Sequence, residues 1–429
     1  MSNGTASLPD EADVVIIGGG ITGCASAYNL AAKKVSVVLL ERGAIAGEQS
    51  SRAWGFIRKQ GRHPAEVPLA AEASRMWVHL QEELQADIEY VREGILAPAE
   101  TEADEAAWRE SVRIAAMHGL STRLLSAREV EALLPQMKGN WRAGLYTPDD
   151  GHAEPRKATE AFAAAAARRG AKLFPNTGVT RIELANGRVS AVHTRQGTIR
   201  AGAVLCAAGL GTAAIARSVG ISLPIHAIRL PVAETEKTTP FTQLAIWAPD
   251  VALRPTGRNT FYIGSGFHSK SGDLDVTLDA LRHFKLFLPR LKENQRLVNI
   301  RVGTALLRSF AGGINSNAEA EPAINDEIVE RNTRGFRERF PHLGDLGIMR
   351  RWAGRTDVTP DMIPIIGALP GVANFYIAAG YSGHGFALGP VSGKVMSELM
   401  LTGRSSIDLS AFRPSRFAEG DLQMAPRYL

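Results

Sequence analysis

The sequence predicts an α/β protein: a discontinuous Rossmann-type dinucleotide-binding domain with an inserted α+β domain built on a mostly antiparallel sheet. Three observations predict it. A strand, glycine turn, helix and second strand open the chain over residues 13–41. Segments 154–183, 198–212 and 374–400 read as further parts of the same unit. The stretches between them change character, helical by pattern over 65–134 and strand-like over 222–310. The expected boundaries are 1–84, 150–220 and 325–429 for the nucleotide domain, and 85–149 and 221–324 for the inserted, substrate-facing domain.

Residues 13–41 read DVVIIGGGITGCASAYNLAAKKVSVVLLE. Val14 to Gly18 form an apolar strand, and Gly18, Gly20 and Gly23 follow at G-x-G-x-x-G spacing. Gly18 permits the tight turn, Gly20 lets backbone approach a pyrophosphate, and Gly23 lets the helix lie against the strand. The helix N-terminus offers unpaired N–H groups and a positive dipole end to phosphates. A second strand, Val35 to Leu40, ends on Glu41, where a carboxylate accepts hydrogen bonds from ribose hydroxyls. A glycine triplet alone is a weak signal; here strand, glycines, helix, strand and acid arrive in register.

The later segments follow the same grammar. Residues 154–183 give a helix of about five turns, then Gly170, a strand and a TGV turn. In 198–212 a strand ends at Cys206–Ala207 and meets a glycine turn at Gly209 and Gly211. In 374–400 a strand ends near Ala379, a glycine-rich turn follows, and a helix starts near Gly389 or Pro390. The strand-like region contains HAIRLPVAETE, LAIWAP, VALRPT and TFYIGSGF, plus a helix candidate at Leu274–Leu288.

Composition excludes several classes. Hydrophobic residues make up 45% and charged residues 22% of the 429, an ordinary globular balance. The net charge of +5, from 49 basic and 44 acidic residues without a basic block, does not indicate nucleic-acid binding. No apolar run approaches the roughly 18 residues of a membrane span. The first residues, MSNGTASLPDEAD, are polar and acidic, which reads as a short frayed tail rather than a secretory signal. Two cysteines, Cys24 and Cys206, read as small core residues in a reducing cytoplasm. The ten histidines show no metal-ligand spacing, so no metal is expected.

The chain resembles the FAD-dependent amine and amino-acid oxidoreductases of the D-amino-acid oxidase and sarcosine oxidase type. The resemblance rests on GGGITG with Glu41-Arg42 and Ser50-Ser51, and on RWAGRTDVTPDMIPIIG (351–367) followed by GYSGHGFALGP (380–390). YTPDDGHAEP (146–155) is similar to the glycine, proline and opine dehydrogenase members. The resemblance implies FAD as cofactor, expected to be non-covalent because Gly354 stands where covalent relatives carry a cysteine. Gly18, Gly19, Gly20, Ile21 and Thr22 would line its pyrophosphate, and Glu41 and Arg42 would hold its ribose and surroundings. Ser50 and Ser51 would sit on the loop crossing the cofactor, and Val179 would meet adenine through its backbone. Ala208 and Gly209 would close over the nucleotide. Gly383, His384, Gly385, Phe386 and Ala387 would pass beneath the ring system, their N–H groups stabilising negative charge at its N1–O2 locus.

The departures from the family pattern bear on chemistry. Relatives that oxidise glycine carry an arginine in the WAG segment; Arg355 stands one place earlier. Tyr262, in TFYIGSGF, takes the place of an oxygen-activating lysine, which favours an acceptor other than oxygen. Gly354 stands where monomeric sarcosine oxidases attach FAD covalently through cysteine. Arg58 and Arg355 are the arginines suited to grip an acidic substrate, since a planar guanidinium matches a carboxylate bidentately. Trp54, Phe56 and Tyr262 are candidate pocket walls or ordinary core, and Arg58, Lys59 and Arg62 read equally as a solvated loop. For His384 the backbone, rather than the ring, is the expected contributor.

The implied function is oxidation of a C–N bond in a secondary amine or amino acid, an N-substituted or cyclic amino acid being favoured. Hydride would pass to flavin N5 and water would hydrolyse the resulting imine. The partners are then a small amine or amino-acid substrate and an acceptor, oxygen or another carrier. Two alternatives stay open: the FAD-carrying subunit of a hetero-oligomeric dehydrogenase, and a non-catalytic flavin-binding protein.

Overall fold

The computed structural model describes residues 7–294, 297–310, 314 and 321–424, so the first six residues of the polar N-terminal segment lie outside the described residues. Three remote stretches of chain build the first sheet. Its order is Ile365–Ala368, Phe375–Ala379, Thr198–Cys206, Glu11–Ile17, Val37–Leu40, Lys172–Phe174, with a hairpin of Val179–Ala185 and Arg188–Thr194 joined to Thr198–Cys206. Glu11–Ile17 runs parallel to both its neighbours, and only Ile365–Ala368 is antiparallel on that path. Near-continuous Val, Ile and Leu runs suit strands covered on both faces. Alternate residues serve opposite cores: Ile16, Leu39, Leu205 and Ala378 face one, Val15, Val38, Val204 and Ile377 the other.

The second sheet has ten strands. Its longest pairing joins His226–Thr235 antiparallel to Ile348–Val358, from His226 opposite Val358 to Thr235 opposite Ile348. Helix Asp326–Arg339 covers this sheet, Phe336 lying 5.9 Å from Phe261. Residues 326–358 therefore build the second sheet, although the sequence reading assigned everything from 325 onward to the nucleotide domain. Their half-buried pattern suits a sheet with one wet face, and the chain rejoins the first sheet only at Ile365.

Three other local expectations shift. The mainly helical region 65–134 contains helices Val67–Leu84, Glu102–Met117 and Ala127–Leu133, but also strands Ile95–Ala99 and Arg123–Ser126, which join the second sheet. The helix candidate at Leu274–Leu288 begins at Leu278, capped by the Thr277 hydroxyl, and Leu274 belongs to a strand. The last glycine-rich helix spans Gly385–Thr402, starting before Gly389. Pro390, which favours a first helical position, instead sits inside this helix and forgoes one backbone hydrogen bond there.

The two glycine-turn helices, Ile21–Ala32 and Gly385–Thr402, are packed face to face. Gly389 and Gly393 make that possible. A Cβ on Gly389 would stand 2.7 Å from Ile21 Cγ2, and one on Gly393 would stand 2.5 Å from the Ala25 carbonyl carbon. Cys24, within this layer, and Cys206, in the core on the opposite face of the first sheet, are fully buried, and burial pushes both thiols up, Cys206 to about 11.

Candidate active site

One cavity of about 580 Å³ runs along the C-terminal ends of the parallel strands. At one end it meets Glu41, Arg42 and Val179; it then passes Gly18–Thr22 with Ser50, and Ala208–Gly209. At the other end it meets Gly383–Phe386 with Arg58 and Arg355. Thus both glycine-helix N-termini open onto the same space. The first N–H groups of a helix lack intrahelical acceptors and carry its positive dipole end.

Local chemistry explains the first glycine turn. Gly18 has φ +116° and lies so close to the Ala207 carbonyl that a Cβ would collide with it. Gly23 stands against the Gly18 carbonyl, so it packs the helix on the strand and does not line the cavity. At Gly20 a Cβ would meet only Ser50 Oγ, at 3.2 Å, in an otherwise open cradle. Ser50 Oγ accepts from the Ile21 N–H at 2.9 Å. Glu41 accepts from the Gly19 and Gly43 N–H groups, both at 2.7 Å, fixing the carboxylate at the turn. Ser51 instead donates to the Glu48 carbonyl and is absent from the cavity wall.

The opposite end is rich in charge. Arg58 Nη1 donates to the carbonyls of Gln60 and Gly61 at 2.8 and 3.0 Å, and its guanidinium lies 4.9 Å over the Trp247 ring. Burial, with Arg62 nearby, pulls Arg58 down to about 9. His384 caps the second glycine helix, and its Nδ1 lies 3.0 and 3.1 Å from the two oxygens of the wholly buried Glu66. Burial and then Arg62 and Arg58 pull His384 down to about 4, leaving it neutral. Burial pushes Glu66 up, yet His384, Arg62 and His63 together hold it below the ordinary carboxylate range. Asp357, also on the cavity wall, is raised by burial to about 6 against hydrogen bonds from Gln49 and the Gly380 N–H.

Most expected site residues therefore converge, with exceptions. Ala387 is in the first turn of the second helix but off the cavity wall; its carbonyl accepts from Trp77 Nε1 at 2.9 Å. Trp54 and Phe56 line the cavity, in an edge-to-face pair. Tyr262 does not: its hydroxyl accepts from Arg258 at 2.8 Å and donates to Glu154 at 3.3 Å, and its ring packs edge-on to Trp352. An acceptor preference argued from Tyr262 has no footing, because the side chain is spent in this polar network behind the wall. Lys59 and Arg62 are buried rather than solvated; Lys59 reaches Asp149 at 3.2 Å and Asp150 at 3.0 Å, which removes its charge from a loop surface. Asp361 binds Arg416.

Sequence reasoning missed Glu66, Gln49, Asp357 and Trp247. Glu66 and His384 are 318 residues apart, and no periodicity or spacing joins them. The only available sign was a lone acid inside the apolar stretch that starts helix Val67–Leu84.

Two helix N-termini, an acid-bearing turn and an arginine-lined pocket define the class: a dinucleotide-binding protein, whose cofactor these residues at the strand ends would hold. The chain matches the family model described as FAD dependent oxidoreductase (DAO) over residues 13–399 and belongs to that family. It is 25% identical to mitochondrial sarcosine dehydrogenase of Homo sapiens over 96% of this chain and 42% of that protein. To sarcosine oxidase subunit beta of Rhizobium meliloti it is 26% identical over 96% of this chain and 89% of that one. The solved L-amino acid deaminase from Proteus myxofaciens in complex with anthranilate superposes with a TM-score of 0.89 at 25% identity, covering 96% of this chain and 95% of that one. The chain spans about two fifths of the mitochondrial sarcosine dehydrogenases (42%). The family is FAD-dependent, and the residues fit FAD: the cradle at Gly20 is open, two helix N-termini face the cavity, and its volume is that of a cofactor site. Among the described residues no group of three His, Cys, Asp or Glu side chains is placed to hold a metal, and no helix is long and apolar enough to cross a membrane.

Proposed function

We propose that this chain oxidises a C–N bond in a secondary amine or amino acid carrying a carboxylate, an N-substituted or cyclic amino acid being favoured. The observation that carries the reading is Arg58, held on the cavity wall beside the second glycine helix and backed by Trp247. FAD, when bound, supplies the hydride acceptor. The protein supplies the rest. Arg58 offers a planar fork to the carboxylate. Trp54, Phe56 and Trp247 narrow the cavity and keep it dry, which favours the neutral amine the reaction needs. The first turn of the second helix favours negative charge at its mouth. Fixing the carboxylate fixes the amine carbon, and such alignment lowers a barrier by several kcal/mol, roughly 7 or more in well-oriented systems.

The FAD-loaded protein, mixed without oxygen with proline, sarcosine, other N-alkyl amino acids and simple amines, should lose its flavin absorption only with substrates bearing a carboxylate. Bleaching by none of them would overturn the reading. Arg58→Lys should raise KM by about tenfold or more, because a point charge replaces a bidentate fork. A second reading, the FAD-carrying subunit of a larger dehydrogenase, is supported by the similarity to a protein named sarcosine oxidase subunit beta. Native mass measurement of the protein from its source separates the two.

A further inference from the structure

We propose that the buried Glu66–His384 pair is the positioning device for the substrate-gripping arginine: Glu66 fixes the imidazole so that Nε2 presents a lone pair to Arg58. The inference rests on the reading of Arg58 as the carboxylate clamp. Glu66, at the start of helix Val67–Leu84, is wholly buried, and both its oxygens lie within 3.1 Å of His384 Nδ1. An ionised carboxylate only accepts, so Nδ1 carries the proton and the neutral ring keeps its lone pair on Nε2. Arg58 Nη2 stands 3.4 Å from that nitrogen, at the long end of the hydrogen-bond range.

Arg58 is thereby held from two sides. Nη1 is tied to the Gln60 and Gly61 carbonyls, and Nη2 faces the imidazole. Of its five N–H groups, the Nε–H and one Nη2–H have no protein partner among the described residues and form the edge that takes a carboxylate in parallel bonds. The electrostatics are consistent. Arg58 and Arg62 share this corner with Glu66 and the buried Asp150, and Lys59 pairs with Asp149 and Asp150. The opposite tautomer would point an N–H at Arg58 and turn the fork away.

The test uses the FAD-loaded protein. Nitrogen-15 NMR of the histidine side chains should show His384 neutral with the proton on Nδ1; a proton on Nε2, or an imidazolium at neutral pH, overturns the proposal without any turnover assay. Glu66→Met should raise KM for a carboxylate-bearing substrate, and Kd for anthranilate used as a probe, by about tenfold, with kcat moving by less than about threefold. Glu66→Gln, which still accepts from Nδ1, should restore most of the affinity. Equal losses in the Met and Gln variants, or a loss in kcat alone, would overturn the positioning role. If Glu66→Met fails to fold, the wild-type spectrum and the Gln variant still decide. Anthranilate affinity unchanged in Arg58→Leu would instead place the error in the carboxylate-clamp reading, a result the imidazole spectrum does not mimic.

Discussion

Gly393→Ala tests whether the close approach of the two glycine helices governs cofactor binding. An ideal Cβ at 393 stands 2.5 Å from the Ala25 carbonyl carbon and 2.7 Å from both Ala25 Cβ and the Ser26 nitrogen, where ordinary contact begins near 3.4 Å. The helices must part by about 0.9 Å, and because the obstacles are backbone no rotamer relieves them; such overpacking costs roughly 1–3 kcal/mol. Alanine returns about 1 kcal/mol through helix propensity. Taking the upper half of the packing range, the net loss is about 1–2 kcal/mol. Both helices start at the cavity, so parting them also misaligns the two sets of N–H groups. FAD affinity should fall about tenfold, equivalent to ~1.4 kcal/mol. Gly389→Ala is the graded control, since the nearest atoms to its Cβ belong to the Ile21 side chain, at 2.7 Å, which can turn away. Thermal unfolding of the apoprotein and fluorescence titration with FAD read the two effects. A Gly393→Ala protein with wild-type midpoint and affinity, or one less affected than Gly389→Ala, would refute the argument.

Other expectations follow from the buried charges. The Asp357 carboxyl is raised from 3.8 to about 6 in the fold, so between these values the native state holds a proton that the unfolded chain has released. That contribution is fully present below pH 3.8 and is lost as pH rises through 6. Its size is on the order of 3 kcal/mol. The difference in unfolding free energy between wild type and Asp357→Asn, measured in urea across this window, should therefore fall in wild type as pH rises; a flat difference would rule the effect out. Asp361 and Arg416 are both wholly buried and joined at 2.8 and 3.0 Å. Arg416→Met strands the carboxylate and should cost about 3–5 kcal/mol by urea unfolding, while the joint replacement with Asp361→Leu should recover much of it.

The nucleotide fold was readable because its signals are local. Gly18, Gly20 and Gly23 lie within six residues, and the apolar runs beside them announce fully buried strands. Pro390 misled because its preference for a helix start is only statistical, and burial of Leu388, Val391 and Val395 holds the helix together through it. The second sheet's claim on Ile348–Val358 was hidden because pairing with His226–Thr235 is a long-range choice that neither segment shows alone. The charged corner was least readable. Lys59 and Arg62 have the composition of a surface loop, and only the Lys59–Asp150 pair and the negative charge of Glu66 and Asp150 near Arg62 make burial tolerable. Tyr262 erred in the other direction: it lies on strand Phe261–Ser265, but its partners Arg258 and Glu154 are invisible in one dimension.

The sealed positions of Cys24 and Cys206 give the native chain a built-in stopwatch. Thiolates react and thiols do not, so alkylating reagents reach Cys24 only in molecules whose glycine-turn layer has sprung open, and Cys206 only where the core on the sheet's opposite face has opened. Modification kinetics of the unaltered protein thus count those openings directly, and added dinucleotide should slow the count in proportion to how tightly it clasps the closed form.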